Sequence, residues 1–191
     1  MWTSIRAAAT MLLVSTALTG VVYPLLVTGI AQGLMPGPAN GSFIARDGKA
    51  VGSALIGQPF GDPKYFWARP SATGPFAYNA AASSGSNLGP THPALGEAVR
   101  ARMAALRAAD PDNRAGVPAD LVSASASGLD PHISPAGAQF QLPRVARARG
   151  LPEERVRRLV AEHTQERQFG VLGEPRVHVL RLNLALDRTR S

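Results

Sequence analysis

The chain has 191 residues, 45% of them hydrophobic, enough for one domain of ordinary size plus appendages and too few for two. Twenty basic against 13 acidic residues give a net charge of +7, carried almost entirely by arginine without a polybasic run, a balance compatible with an anionic partner or a membrane surface. Cysteine is absent, which excludes disulfides, thiolate metal sites and cysteine nucleophiles together.

Residues 7–45 carry no charge, and residues 7–35, AAATMLLVSTALTGVVYPLLVTGIAQGLM, are mostly apolar. At ~1.5 Å per residue this run is more than long enough to cross a ~30 Å hydrocarbon core. It predicts a transmembrane helix over 7–35. Pro24 is tolerated in a span where hydroxyls such as those of Thr19 and Thr28, neighbouring chains or water satisfy the freed carbonyl. Ala17, Gly20, Thr28 and Gly29 let another helix approach closely. The alternative is a cleaved signal peptide, with Arg6 ahead of the run and Gly29-Ile30-Ala31 as the cut, although the run continues past that site. Arg6 and the amino terminus flank the span on one side, and the first basic residue on the other is Arg46. That bias places residues 1–6 in the cytoplasm and residues 36–191 outside, as a single α+β domain.

The domain opens with SFIARDGKAVGSALIG, where Asp47-Gly48 between two β-prone runs predicts a hairpin. A Gly-, Pro-, Ser- and Asn-rich stretch from Pro59 to Pro93 lacks sustained periodicity and reads as a long loop. Among its aromatics are Tyr65, Phe66, Trp67, Phe76 and Tyr78, five of the eleven in the chain. Either these rings pin the loop to a core or they meet a partner. Three surface helices follow: PALGEAVRARMAALRAA with Leu95, Val99, Met103 and Leu106 on one face; ISPAGAQFQLPRVARARG with Ser134 as N-cap, Gly150 as stop and Pro143 inside; and LPEERVRRLVAEHTQER burying Val156, Leu159, Val160 and His163. The alternation of Leu180, Leu182, Leu184 and Leu186 with Arg181, Asn183, Ala185 and Asp187 predicts a closing strand that joins the first sheet.

SASASGLDPHISP, residues 123–135, holds the components of a hydrolytic site: Ser123, Ser125, Ser127, Asp130 and His132. No Gly-x-Ser-x-Gly elbow accompanies them, so the stretch reads as a short small-residue strand, LVSASAS, running into a turn and a helix cap. A membrane-tethered or secreted hydrolase or binding protein is the competing reading. His92, His132, His163 and His178 share no short ligand spacing, so no metal site is expected. No phosphate-cradling Gly-x-x-x-x-Gly-Lys loop is present, and the chain should not hydrolyse ATP by itself. SSGSNLGP is either an anion nest or a plain turn, and Arg144, Arg147, Arg149, Arg155, Arg157 and Arg158 either meet an anion or form solvated helix faces. With an exported domain and no reading motif, nucleic acid is not an expected partner.

Taken in order, YPLLVTGIAQ, GSALIGQPF, YFWARPSA, YNAAASSGSNLGP, DLVSASASGLDPHISP, QLPRVARARGL and RVHVLRLNLALD closely resemble the KdpC subunit family of the bacterial high-affinity potassium-transporting ATPase. The resemblance covers nearly the whole chain. Two positions depart from the family's usual pattern: Ala126 stands where Gly is usual and His92 where Asn is common. The resemblance implies a non-catalytic accessory subunit in the cell inner membrane, alongside a potassium-channel-like subunit, a P-type ATPase subunit and a small single-span subunit. It implies help in assembly and a chaperone-like increase in the ATPase subunit's affinity for ATP, with Gln141 of the QLPRV motif as a nucleotide contact. No potassium-filter sequence and no Asp-Lys-Thr-Gly motif is present, so ion selection and phosphoryl transfer fall to partners. ATP is cytoplasmic, whereas the charge bias puts Gln141 outside, so an effect on ATP would act through the complex as a coupling between sites.

Overall fold

One long helix fills most of the first 34 residues. The computed structural model describes residues 1–189, and the chain divides into two compact units, Met1–Val51 and the part from Gly52 onward. In the first, α1 (Trp2–Ala17) passes through a π-helical turn at Leu18–Val22 into α2 (Tyr23–Leu34). The helix is thus continuous over 33 residues, with a mean hydropathy of 1.8 in its most apolar window, and is long and apolar enough to cross a membrane. None of its side chains is buried within the protein. The π turn lies where the Pro24 ring would otherwise meet the Gly20 carbonyl one turn earlier, a standard cause of such a bulge. Thr19 Oγ1 donates to Ser15 O at 2.7 Å, so its hydroxyl serves the preceding turn. A single-turn helix, α3 (Pro36–Ala39), leads to β1 (Phe43–Arg46) and β2 (Lys49–Ser53). Asp47 and Gly48 both have positive φ, 52° and 77°, the backbone a two-residue type I′ hairpin requires.

In the second unit the stretch from Ala54 to His92 contains one 3₁₀ turn, Ala80–Ala82, and is otherwise irregular, as its composition predicts. His92 caps α4 (Pro93–Ala109), its Nδ1 accepting from Ala94 N at 3.2 Å. After a 3₁₀ turn at Ala119–Leu121 come β3 (His132–Ile133), α5 (Pro135–Arg149), α6 (Glu153–Glu162), β4 (Thr164–Gln165), β5 (Arg176–His178) and α7 (Val179–Arg188). Ser134 Oγ caps α5 through Gly137 N at 2.9 Å, and Gly150 ends it at φ 63°.

Three expectations are corrected. The closing segment is a strand only over Arg176–His178 and then turns into α7. Val179, Leu182, Asn183 and Leu186 bury one helical stripe at i, i+3, i+4 and i+7, and the alternating leucines concealed that period. Nor does this segment join the first sheet: β1 pairs with β2, and a separate sheet has the order β3-β5-β4. In that sheet β5 pairs antiparallel with both neighbours, His132 opposite His178 and Thr164 opposite Val177. LVSASAS forms no strand, because its backbone groups bond singly to other loops: Ser125 N donates to Pro70 O at 3.3 Å, and Ser127 O accepts from Ser84 N at 3.0 Å.

α5 is not a surface helix but the centre of the unit. It buries Ala138, Phe140, Gln141, Leu142, Arg144, Val145 and Ala146. Phe66, Leu106, Leu121, Ile133, Val156, Val177, Leu182 and Leu186 complete the same core. Phe66, Leu142, Leu182 and Leu186 are 0% exposed, and each such side chain stabilises the fold by about 1.5–3 kcal/mol through burial. Val156 and Val160 bury the apolar face of α6, whereas Leu159 and His163 are half-buried and His163 closes the helix with Nδ1 2.8 Å from Leu159 O.

Candidate functional site

The aromatic loop and the QLPRV segment meet. Gln141 and Asn183, from α5 and α7, hold the backbone N–H and C=O groups of two successive loop residues, as neighbouring β-strands would. Asn183 Oδ1 accepts from Phe66 N at 2.9 Å, and its Nδ2 donates to Phe66 O at 3.0 Å. Gln141 Oε1 accepts from Trp67 N at 2.8 Å, and its Nε2 donates to Trp67 O at 3.1 Å and Gly137 O at 3.3 Å. Two side-chain amides thus satisfy a stretch of backbone that has no strand partner.

Arg144 completes the clamp. Its Nη1 donates to Pro63 O at 2.5 Å, and its Nη2 to Tyr65 O at 3.1 Å and Gln141 Oε1 at 2.7 Å, while its guanidinium lies 4.5 Å from the centre of the Trp67 ring. The residue is 3% exposed, and burial lowers its pKa to about 10 against the opposing pull of the Asp110 and Asp62 charges. A cation in this position needs every donor occupied, and loop carbonyls supply most of the acceptors. Arg149 continues the seam, with Nε donating to Lys64 O at 2.7 Å and Nη2 meeting Asp187 Oδ1 at 2.9 Å. Tyr65 also donates to Asp187 Oδ2, at 3.2 Å.

The aromatics of the loop therefore divide. Phe60, Tyr65, Phe66, Trp67 and Tyr78 are packed against or bonded to the unit, and Phe76 is exposed. Tyr78 OH donates to Arg69 O at 2.5 Å, and burial, then the Asp130 charge, push its pKa up to about 12.

The serine-rich stretch is woven into this loop and does not assemble a nucleophile. Ser123 Oγ donates to Ala119 O at 2.7 Å, Ser127 Oγ accepts from Leu129 N at 3.1 Å, and Ser125 is buried. Asp130 Oδ1 accepts from His132 N at 3.0 Å and lies 3.3 Å from His132 Nδ1, and Asp130 Oδ2 meets Arg69 Nη1 at 3.4 Å. Burial alone would raise the Asp130 pKa, but the hydrogen bonds from His132, with the His132 and Arg69 charges, hold it below the usual carboxylate value. Among the described residues no serine hydroxyl bonds His132, so this stretch does not form the serine–histidine pair of a serine nucleophile and its base. Gly57 and Gly128 allow the close approach. A Cβ on Gly57 would sit 2.6 Å from Asp130 O, and one on Gly128, at φ 67°, would sit 2.7 Å from Ser84 O.

His178 is buried and caps α7, with Nδ1 accepting from Arg181 N at 3.4 Å and Nε2 3.0 Å from Ala54 O. These contacts fit one neutral tautomer. Burial lowers its pKa to about 4, against the opposing Ala54 hydrogen bond, and the His132 and Arg181 charges add to the drop. The His132 and His178 rings meet edge to face at 5.2 Å. Among the described residues no group of three or more His, Cys, Asp or Glu gathers to hold a metal. The six arginines split: Arg144, Arg147 and Arg149 are bonded across to loops, while Arg155, Arg157 and Arg158 lie exposed on α6. In SSGSNLGP, Ser84 N and Ser83 Oγ both donate to Ser127 O, the behaviour of a packed turn.

Sequence reasoning singled out Gln141 but missed Asn183 and Asp120. Asn183 stands as one amide inside a leucine-rich run, the available signal for a buried polar group with a dedicated partner. Asp120 accepts from Ser134 N at 2.7 Å and Ser134 Oγ at 3.0 Å, fixing the start of α5, and nothing in its local sequence marks it.

Comparison with known proteins places this architecture. The family model for KdpC, the c chain of K⁺-transporting ATPase, matches residues 5–188. The chain belongs to the KdpC family. It is 64% identical over 186 residues to the potassium-transporting ATPase KdpC subunit of Sorangium cellulosum, covering 97% of this chain and 98% of that one. It is 66% identical over 183 residues to the subunit of the same name from Polaromonas naphthalenivorans, 96% and 93% of the two chains. The Methylococcus capsulatus subunit is 64% identical over 185 residues, 97% of each. Gln141, Asn183 and the serine-rich stretch all fall inside the matched region of this family.

Proposed function

We propose that this chain is a non-catalytic accessory subunit of an ATP-driven, high-affinity potassium uptake complex in the bacterial inner membrane. In this reading residues 7–35 cross the membrane with residues 1–6 in the cytoplasm, and residues 36–191 lie outside. The partners are the potassium-channel-like subunit, the P-type ATPase subunit and the small single-span subunit. One observation carries the reading. The side chains that resemble a catalytic set, Ser123, Ser127, Asp130 and His132, are engaged in holding their own loop, as Gln141 and Arg144 hold the aromatic loop. Family membership along nearly the whole chain and one helix of spanning length support it.

Any rise in the ATPase subunit's affinity for ATP would act through the complex, as a coupling free energy between two sites. A direct nucleotide contact by Gln141 would first have to break its bonds to Trp67, Gly137 and Arg144, and the residue is 1% exposed. Gln141 enters this account as a positioning residue. The test is co-purification in detergent, followed by the complex's KM for ATP with and without this chain. Association with the channel-like subunit and a raised KM on omission are expected. A monodisperse monomer indifferent to those subunits would defeat the reading.

A further inference from the structure

The connection from β4 to β5 is an ordered projection. The pairing of Thr164 with Val177 and Gln165 with Arg176 continues through an Arg167–Glu174 ion pair at 2.6 Å to an antiparallel bridge between Gln168 and Leu172. Gly173, at φ 77°, takes up the one-residue change of register between them. Gln168 and Leu172 exchange backbone hydrogen bonds of 2.8 and 2.9 Å, Val171 N donates to Gln168 O at 3.3 Å, and Gly170 N donates to Arg167 O at 3.1 Å. The turn itself uses positive φ at Phe169, 54°, and Gly170, 75°. A phenylalanine rarely adopts that conformation, and here the surrounding bonds impose it.

This ordered tip holds apolar side chains in solvent: Phe169 is 85% exposed, Val171 71% and Leu172 57%. Among the described residues of the second unit no other three large apolar side chains this exposed lie within four positions. Residues 168–173 carry no charge, and the first charges below them, Arg167 and Glu174, neutralise each other. The backbone donors of residues 170, 171 and 172 are already satisfied within the tip, so it can enter an apolar phase without stranding them.

We propose that the Phe169–Leu172 tip inserts into the surface of the lipid bilayer on the side where the second unit lies, a second attachment besides the spanning helix. The inference rests on the proposed membrane span. A convex tip has no concavity to receive a ligand, and the apolar phase that a spanning helix keeps within reach of every copy of the chain is the bilayer. Its shallow, uncharged apolar end and paired charged collar match insertion to interfacial depth.

The test uses the full-length chain, whose lack of cysteine allows single nitroxide labels. Val171→Cys reports the tip, Leu25→Cys the span and Ser86→Cys an exposed loop, each in vesicles of phosphatidylethanolamine and phosphatidylglycerol. Collision rates with oxygen and with a water-soluble nickel chelate give the depth of each label. The expected oxygen-to-nickel ratio at Val171 lies several-fold above that at Ser86 and below that at Leu25, a depth of about 5–10 Å. Adding Phe169→Ser should return the Val171 ratio toward the Ser86 value. A Val171 ratio equal to that at Ser86 overturns the proposal, as does an immobilised label shielded from both reagents, which would show the tip packed against protein. If Leu25 itself reports water, the membrane span fails and the tip proposal falls with it. If Leu25 reports lipid and Val171 water, only the tip proposal is lost.

Discussion

Replacing Gln141 by leucine keeps the approximate volume of the side chain and removes its four polar contacts. Trp67 N–H loses a 2.8 Å acceptor, Trp67 and Gly137 carbonyls lose donors at 3.1 and 3.3 Å, and Arg144 Nη2 loses an acceptor at 2.7 Å. A buried neutral group left unsatisfied costs about 1–3 kcal/mol, and a hydrogen bond to a charged group is worth about 1.5–3 kcal/mol. The Gly137 carbonyl is an additional acceptor at the start of α5, so the Trp67 backbone N–H and C=O and Arg144 dominate. The expected loss is about 3–6 kcal/mol, a large share of the ~5–15 kcal/mol available to a domain. For a chain of this size that corresponds to a fall in Tm on the order of 10 °C. The assay is thermal unfolding of the full chain in detergent, followed by near-ultraviolet circular dichroism. Gln141→Glu separates the contributions, because a carboxylate still accepts from Trp67 N and Arg144 but cannot donate to Trp67 O or Gly137 O. It should fall between wild type and leucine. The opposite pattern refutes the reasoning: Gln141→Leu as stable as wild type, with the complex's KM for ATP raised, would mark a residue held for nucleotide and not for the loop.

Other consequences follow from the same contacts. His178 has its pKa depressed to about 4 from an ordinary 6.5, so between those values the unfolded chain binds more protons than the folded one. Its contribution to stability is complete above about pH 6.5 and is lost as pH falls toward 4. Urea midpoints from pH 7.5 to 4.5 should show a slope that is flatter in His178→Asn, and an unchanged slope would contradict the assignment. Gly128→Ala forces a Cβ to within 2.7 Å of Ser84 O at φ 67°, so a loss of about 2 kcal/mol or more is expected in chemical denaturation. Phe66→Ala empties the centre of the core and should lower stability by about 3–5 kcal/mol. Ser123, Ser125 and Ser127 should resist serine-directed fluorophosphonate probes, and stoichiometric labelling of any of them would revive the hydrolase reading.

The hairpin at Asp47-Gly48, the capped start and glycine stop of α5, the loop nature of residues 59–92 and the long apolar N-terminal helix were legible because each is a local signal. A turn that demands positive φ, an N-cap hydroxyl and a long apolar run act within a few residues of themselves. What was hidden is nonlocal. The arginines of QLPRVARAR suggest a solvated face, yet Arg144 is buried because the carbonyls that receive it lie some eighty positions earlier. The leucines at 180, 182, 184 and 186 satisfy a two-residue period by coincidence, and the competing stripe through Val179 and Asn183 emerges once His178, an uncommon cap, starts α7. Gln141 was recognisable as important through the family's motif, and its work within the fold became visible only with Trp67 beside it.

The side of the membrane on which the second unit lies tests the account most directly. Ser86→Cys, the sole thiol of its variant, can be challenged with a membrane-impermeant maleimide in intact spheroplasts and again after permeabilisation. An exterior accessory domain predicts full labelling before permeabilisation and no increase afterwards. Labelling only after permeabilisation would place the domain beside cytoplasmic ATP and contradict the account.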